Sequence, residues 1–245
     1  MSVTASQERI DLNALHKACS TCSLSDLCLP MGLNPEDMGR LETLVQSSLP
    51  LHADEHLFRV GDPFQAIYAV HSGCFKTYVV DDTGREHVLG FHLPGELMGL
   101  AGIYPRRHQV NALALDTATV CKLSFNEIST LATHMPSLQV QLFRLMSKDI
   151  GSSNALSGDF TAEERLSAFL MSISRRFHAR GYSATEFMLR MTRRDIANYL
   201  RLATETVSRV LAKFQDDGLI AVERRDVKIL DIGRLGNMCR SVPQL

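Results

Sequence analysis

The segment from Thr192 to Phe214 constrains this 245-residue chain more than any other. Thr192-Arg-Arg-Asp-Ile-Ala-Asn-Tyr-Leu200 and Thr204-Glu-Thr-Val-Ser-Arg-Val-Leu-Ala-Lys-Phe214 read as two helices joined by a turn of three or four residues. Ile196, Ala197, Leu200, Leu202, Val207 and Val210 have the spacing that locks two helices at a steep angle, and the small Ala197 permits close approach. The second helix should stop at Gly218, after which residues 219–222 and 227–230, joined by Glu223-Arg-Arg-Asp226, read as a two-stranded wing. Thr161 with Glu164 forms a capping box for a helix that precedes this unit and stops at Gly181, and a short strand is expected over 186–189. Residues 159–245 are therefore expected to form a winged helix-turn-helix.

The second helix would expose Thr204, Glu205, Ser208, Arg209 and Lys213 on one face. An arginine there can hold guanine O6 and N7 in a bidentate pair, and a glutamate can accept from cytosine N4, each worth about 1–3 kcal/mol of discrimination. Glu205 is the informative residue, because phosphate repels a carboxylate unless it reads a base edge or orients an arginine. The bland alternative is a solvated helix with an i, i+4 Glu205/Arg209 pair worth about 0.2–0.5 kcal/mol. Charge favours a double-stranded DNA partner touched on one face. Residues 159–230 carry thirteen Lys/Arg against ten Asp/Glu, on a chain whose net charge is -1.

The remainder reads as a second body. Residues 1–33 are irregular. Asn34, Pro35, Glu36 and Asp37 form a helix start for a stretch to about residue 46. From 49 to 124 the pattern turns to short β-like runs, such as 66–70, 75–80, 86–91 and 117–123, punctuated by glycine-containing turns, which predicts a β-roll or jelly-roll. Ser124 with Glu127 reads as a capping box for a short helix ending near Pro136. A helix of about twenty residues follows. On it Phe143, Met146 and Ile150 fall at spacings of three and four, Gln139 and Ser153 extend that line, and Leu138, Leu142 and Leu145 form a second line beside it. Either one line packs on the barrel while the other meets a partner helix, giving a homodimer, or both form one wide core-facing stripe. The expected organisation is α+β: a cysteine segment (1–33), a cyclic-nucleotide-binding-like β-roll sensor (34–135), a dimerisation helix (136–158) with a hinge at Gly158, and the winged helix-turn-helix.

Cys19, Cys22 and Cys28 place three thiols in one short loop, close enough to share a centre if a fourth ligand arrives from elsewhere. Four thiolates suit zinc or a [4Fe–4S] cluster, and spacing does not choose between them, although structural zinc usually takes two paired Cys-x2-Cys knuckles. Cys74 and Cys239 read as packing or spare thiols. The nine histidines show no metal spacing on a common helix face, and His16 is the one near the cysteines. No nucleophile elbow, phosphate loop or paired acid/base motif points to an enzyme. With no signal peptide and no apolar stretch of membrane-spanning length, the expected location is the cytoplasm and no membrane partner is expected.

Glu205-Thr-Val-Ser-Arg209, Ile196-Ala-Asn-Tyr-Leu200, Gly90-Phe-His-Leu-Pro-Gly95, Cys121, Arg144-Leu-Met-Ser147 and Ala162-Glu-Glu-Arg-Leu166 resemble the CRP/FNR superfamily over nearly the entire chain, specifically its fumarate and nitrate reduction regulator (FNR) branch. That resemblance implies an oxygen-sensitive [4Fe–4S] cluster on Cys19, Cys22, Cys28 and Cys121. It implies homodimers, a TTGAT-type inverted repeat read by Glu205, Ser208 and Arg209, and contact with RNA polymerase through the hairpin at 81–85 and the wing-side surface. Two departures stand out. Arg201 occupies a turn position where the family usually has glycine, which costs about 1 kcal/mol if that position needs positive φ, and which adds a candidate phosphate contact. Ser153 replaces an acidic residue near the dimer seam, which should leave the apo dimer stronger. Cyclic-AMP-binding members carry a glutamate soon after the Gly-Glu-Leu turn and an Arg-Ser pair for the phosphate. Here Leu100-Ala-Gly102 and His108-Gln-Val110 stand instead, with Arg106 and Arg107 in a loop, so no cyclic nucleotide ligand is expected.

Overall fold

The computed structural model describes residues 19–154 and 158–243, the side chains at 152–154 excepted. Two 3₁₀ turns, Cys19–Thr21 and Ser25–Leu27, lead into helix α1 (Pro35–Glu42). Asn34 caps α1 by accepting the Asp37 N–H at 2.8 Å, and Pro35 fills the first position, where its missing N–H costs nothing. α1 is shorter than the sequence pattern suggests. Residues Val45–Ser47 form strand β1 instead, because strand β8 (Thr119–Ser124) presents an edge to which Val45 pairs opposite Leu123 and Ser47 opposite Cys121.

Strands β2 (His56–Phe58), β3 (Ala66–Ser72), β4 (Phe75–Val80), β5 (Glu86–His92), β6 (Leu97–Met98) and β7 (Asn111–Ala114) complete the β-roll with β1 and β8. They form two four-stranded antiparallel sheets, β1-β8-β3-β6 and β2-β7-β4-β5. Val70, Phe75, Met98, Ala112 and Val120 fill the space between them. Helix α2 (Phe125–His134) follows β8 directly. The expected Ser124 capping box does not form. Ser124 pairs with Ala66 as the last residue of β8, Phe125 N–H is taken by Gln65 O, and the serine side chain makes no cap bond, so sheet pairing overrides the local signal.

Helix α3 (Pro136–Asn154) lays Leu138, fully buried, and the partly buried Leu142 and Leu145 on the apolar cluster of Ile128, Ala132 and Met135. Gln139, Val140, Phe143 and Ile150 face outward. The two apolar lines thus have different environments.

Beyond Gly158, helix α4 (Ala162–His178) opens on the expected capping box, with Thr161 and Glu164 bonded reciprocally. Strand β9 (Glu186–Met188), helices α5 (Arg193–Tyr199) and α6 (Thr204–Asp216), strands β10 (Ile220–Glu223) and β11 (Asp226–Ile229) and helix α7 (Ile232–Met238) follow. The wing is part of a three-stranded sheet, β10-β11-β9, rather than two strands alone. α7, which carries no strong sequence signal, is held by Ser167 Oγ donating to Leu235 O at 2.5 Å. This unit is docked on the β-roll. Tyr78, Val88 and Phe91 of the roll share one buried cluster with Phe169, Ile196 and Phe214.

Candidate DNA interface and cysteine centre

The helix-turn-helix is built from the inside. Ile196, Ala197, Leu200, Val207 and Val210 are buried, and Leu202 packs against them from the edge. Thr192 caps α5 through a reciprocal box with Asp195. The turn requires a left-handed residue, and Arg201 supplies it at φ 56°. A non-glycine side chain there carries the backbone strain that its sequence position suggested.

Thr204, Glu205, Ser208, Arg209 and Lys213 are all exposed on α6. Ser208 Oγ donates back to Thr204 O at 3.1 Å, and Lys213 Nζ meets Glu163 Oε1 at 2.5 Å. Lys213 is thus tied to the start of α4, while Glu205 and Arg209 project from the face that a major groove would meet. The wing turn holds Arg224 at φ 54°, and Arg193 Nη2 donates to Arg224 O at 3.3 Å. Sequence reasoning had not singled out Arg193, although two arginines at the N-terminal end of α5 are visible in the chain.

The cysteine loop sits where the roll, α1 and α3 meet. Cys19 and Cys28 pack on the Ile128–Met135 apolar cluster, as does Cys121 from the middle of β8. Burial, then the charge of Cys121, Glu42 and Cys22, pushes the Cys19 thiol up to about 12. Burial is also the main cause at Cys28, pushed up to about 12 with Cys121, Cys19 and Cys22 adding and the Leu29 N–H opposing. Each of the four sulfurs therefore lies within electrostatic reach of others. Among the described residues, however, no group of three or more Cys, His, Asp or Glu side chains is arranged to hold a metal ion. The thiols lie near one another without forming a ligand set. Their chemistry suits a soft cationic centre, which would stabilise thiolates that burial and mutual repulsion disfavour.

Two contacts tie the loop down. Ser20 N–H donates to Glu42 Oε1 at 2.5 Å, and Gln141 Nε2 of α3 donates to Cys28 O at 3.3 Å. Gln141 is 2% exposed, and its Oε1 is buried without a partner among the described residues. An unsatisfied buried acceptor costs about 1–3 kcal/mol, so this link between loop and helix is kept against a penalty. Cys74 is buried in the docked interface, and Cys239 Sγ faces Gly236 O at 3.4 Å, both away from the cysteine loop. His16 lies outside the described residues.

His108, Arg106 and Arg107, where the sequence lacks an Arg-Ser pair, make contacts within the roll. His108 is 2% exposed and stacks on Phe58 with ring centroids 3.8 Å apart. Arg106 lies over Phe125, and Arg107 Nη1 donates to Gly61 O at 2.7 Å. Glu96, on the turn before β6, is engaged by Arg176 and Arg180 of the C-terminal unit.

Residues 164–238 match the Crp-like helix-turn-helix domain, and residues 49–134 match the cyclic nucleotide-binding domain. The transcriptional activator protein Anr of Pseudomonas aeruginosa is 47% identical over 91% of this chain and 93% of its own length. This chain belongs to the CRP/FNR superfamily, in its FNR branch. The same CRP/FNR pattern extends to the anaerobic regulatory protein of Haemophilus influenzae, 42% identical over 91% of this chain and 87% of that one. Among solved structures, FixK2 from Bradyrhizobium japonicum matches at a TM-score of 0.72 and 27% identity, covering 79% of this chain and 96% of that one. This CRP/FNR protein is a DNA-binding transcription regulator, not an enzyme, with the expected α+β fold. No helix among its described residues is long and apolar enough to cross a membrane.

Proposed function

We propose that the protein is an oxygen-responsive regulator of anaerobic-metabolism genes, whose Cys19, Cys22, Cys28 and Cys121 hold a [4Fe–4S] cluster. The observation that carries the proposal is the gathering of these four thiols, three from the loop and one from β8, beside the dimer-helix candidate α3. When bound, such a cluster supplies an oxygen-labile centre that engages four thiolates at once. The chain's own residues do the rest. Gln141 links the Cys28 carbonyl to α3, so order in the loop and the pose of α3 depend on one another.

The line of exposed Gln139, Phe143 and Ile150 with the half-buried Met146 is the proposed seam of a homodimer. Phe143 is 60% exposed and Ile150 63% exposed in the single chain, and with Val140 they form an apolar face on one helix that a partner helix would cover. Leu142 lies at the margin of that line, packed toward the roll, and the side chain of Ser153 lies outside those described. A dimer about a two-fold axis sets two α6 helices about 34 Å apart, the spacing of successive major grooves. Glu205, Ser208 and Arg209 would then read the two halves of a TTGAT-type inverted repeat, with Thr204, Lys213 and Arg201 toward phosphate. The hairpin at 81–85 is the proposed RNA polymerase contact. Asp81 accepts from Thr83 and Arg85 N–H groups and pairs with His87 at 2.7 Å, which makes that exposed hairpin stiff. The proposal includes no cyclic nucleotide ligand and a cytoplasmic site of action.

Purification without air tests the reading. A visible sulfur-to-iron absorption band is expected, bleaching in air together with dimer content and operator affinity. A colourless protein that contains zinc and binds operator equally in air would overturn it.

A further inference from the structure

One turn of the β-roll faces the cysteine loop on one side and the DNA-binding unit on the other. It runs from Leu93 to Glu96, between β5 and β6, and it is closed on itself: Glu96 N–H donates to Leu93 O at 3.1 Å, and Leu93 N–H donates to Glu96 Oε2 at 3.1 Å. Gly95 sits at φ +89°, and a Cβ there would lie 3.2 Å from Leu27 Cβ and 3.8 Å from Leu24 Cβ. The absent side chain lets the 3₁₀ turn just before Cys28 rest directly on this backbone.

The other side of the turn is gripped by α4. Arg176 places Nε 2.9 Å from Glu96 Oε1 and Nη2 2.5 Å from Oε2, and donates to Phe91 O at 2.5 Å. Arg180 places Nη2 2.8 Å from Glu96 Oε1 and donates through Nε to Pro94 O at 2.7 Å. Three contacts to the Glu96 carboxylate, one to the Pro94 carbonyl within the turn and one to the Phe91 carbonyl just before it thus converge on residues 91–96. The side chains of Glu96, Arg176 and Arg180 are 18%, 21% and 4% exposed, so the cluster is largely shielded from solvent, where the two-pronged contact of Arg176 with the carboxylate is strong and directional. Burial pushes the Glu96 carboxyl up, and the charge and hydrogen bonds of Arg176, then the charge of Arg180, overcome it, holding the group at about 2.

α4 also bears on the reading helix. Phe169 of α4 lies 6.0 Å from Tyr199 of α5, and both rings pack on Phe91. Arg165 Nη1 donates to Leu200 O at 3.3 Å, at the turn that sets α6.

We infer that Glu96, Arg176 and Arg180 are positioning residues for DNA binding, which carry the order of the cysteine loop through the 93–96 turn to α4 and α6 within one chain. This route is separate from the dimer helix. It rests on the proposed sensing role of the loop, but its contacts can be broken without touching a cysteine or a base-reading residue.

The test is a double-mutant cycle on the full chain, with Leu27→Ala loosening the loop and Glu96→Gln releasing α4. Operator affinity is read by fluorescence anisotropy, dimer content by sedimentation, and cluster content by visible absorption in the same samples. At equal dimer content Glu96→Gln is expected to weaken operator binding about fivefold and Leu27→Ala about threefold, with the double variant no weaker than Glu96→Gln alone. If Glu96→Gln unfolds, Arg176→Lys keeps the charge, loses the two-pronged contact and should reproduce the effect. Multiplying effects in the double variant, or losses explained wholly by lower dimer content, would overturn the inference. A wild-type protein without an iron–sulfur band would sink the sensing proposal instead, while the cycle still reports on loop-to-DNA coupling.

Discussion

The helix-turn-helix and the cysteine loop are finished to different degrees. In the first, capping boxes at Thr161 and Thr192, a buried apolar interior and a reading face already turned outward leave little to arrange when DNA arrives. In the second, a segment of two 3₁₀ turns carries Cys19, Cys22 and Cys28, of which burial pushes the Cys19 and Cys28 thiols up, and it is secured by Ser20–Glu42 and Gln141–Cys28 contacts and by packing on α1 and the Gly95 turn. Its own backbone bonds are short-range turn bonds rather than a helix or sheet ladder, so its order rests largely on those tertiary contacts. The helix-turn-helix is thus preorganised by its own core, while the cysteine loop depends on the surfaces it rests on.

The strongest way to break this comparison is Cys121→Ala. It should abolish the visible band and anaerobic operator binding, leave the circular dichroism of the folded chain unchanged, and be checked by both spectra on one sample. Phe143→Glu comes next: facing itself across a two-fold axis, it should weaken the dimer by about thirtyfold or more, measured by sedimentation, with the band retained. If the dimer survives, α3 is not the seam.

Acid probes the junction between the regions. Burial chiefly holds the His92 imidazole down at about 4, and Glu96 sits at about 2. Both groups are depressed on folding, so the stability each contributes is present above its unfolded value and lost as pH falls toward its folded one. The unfolding free energy from urea titrations should therefore drop from about pH 6.5 to 4 through His92, then from about 4.5 to 2 through Glu96, each by roughly 3 kcal/mol at most. A flat profile between pH 6.5 and 4 would place His92 in water.

Within the helix-turn-helix, Arg209→Ala should cost about 1–3 kcal/mol of operator affinity and relax discrimination at one base pair, as competition with singly substituted duplexes would reveal. The smallest effect is Arg201→Gly. Relieving φ 56° should stabilise the fold by about 1 kcal/mol in urea denaturation, and if Arg201 also touches phosphate, the salt dependence of DNA binding should fall by about one charge.

How much was legible in the chain follows the same division. Ile196, Ala197, Leu200, Val207 and Val210 announced their burial through helical periodicity, and Thr161 and Thr192 lie where capping chemistry demands, because these signals act over three or four residues. Ser124 carried the same kind of signal and lost, since its backbone is committed to pairing with Ala66, a residue far away in sequence. Residues 45–47 likewise became a strand because the Cys121 strand needed an edge partner.

Local spacing alone determined the helix-turn-helix, its reading face, the three-cysteine loop and the two apolar lines of α3. Tertiary structure decided what those pieces meet: Cys121 beside the loop, Leu142 toward the roll, and Glu96 gripped by arginines some eighty residues away. The physical reason is range. Caps and helical periods are fixed by neighbours along the chain, whereas burial and ion pairing depend on which distant surfaces exclude water together.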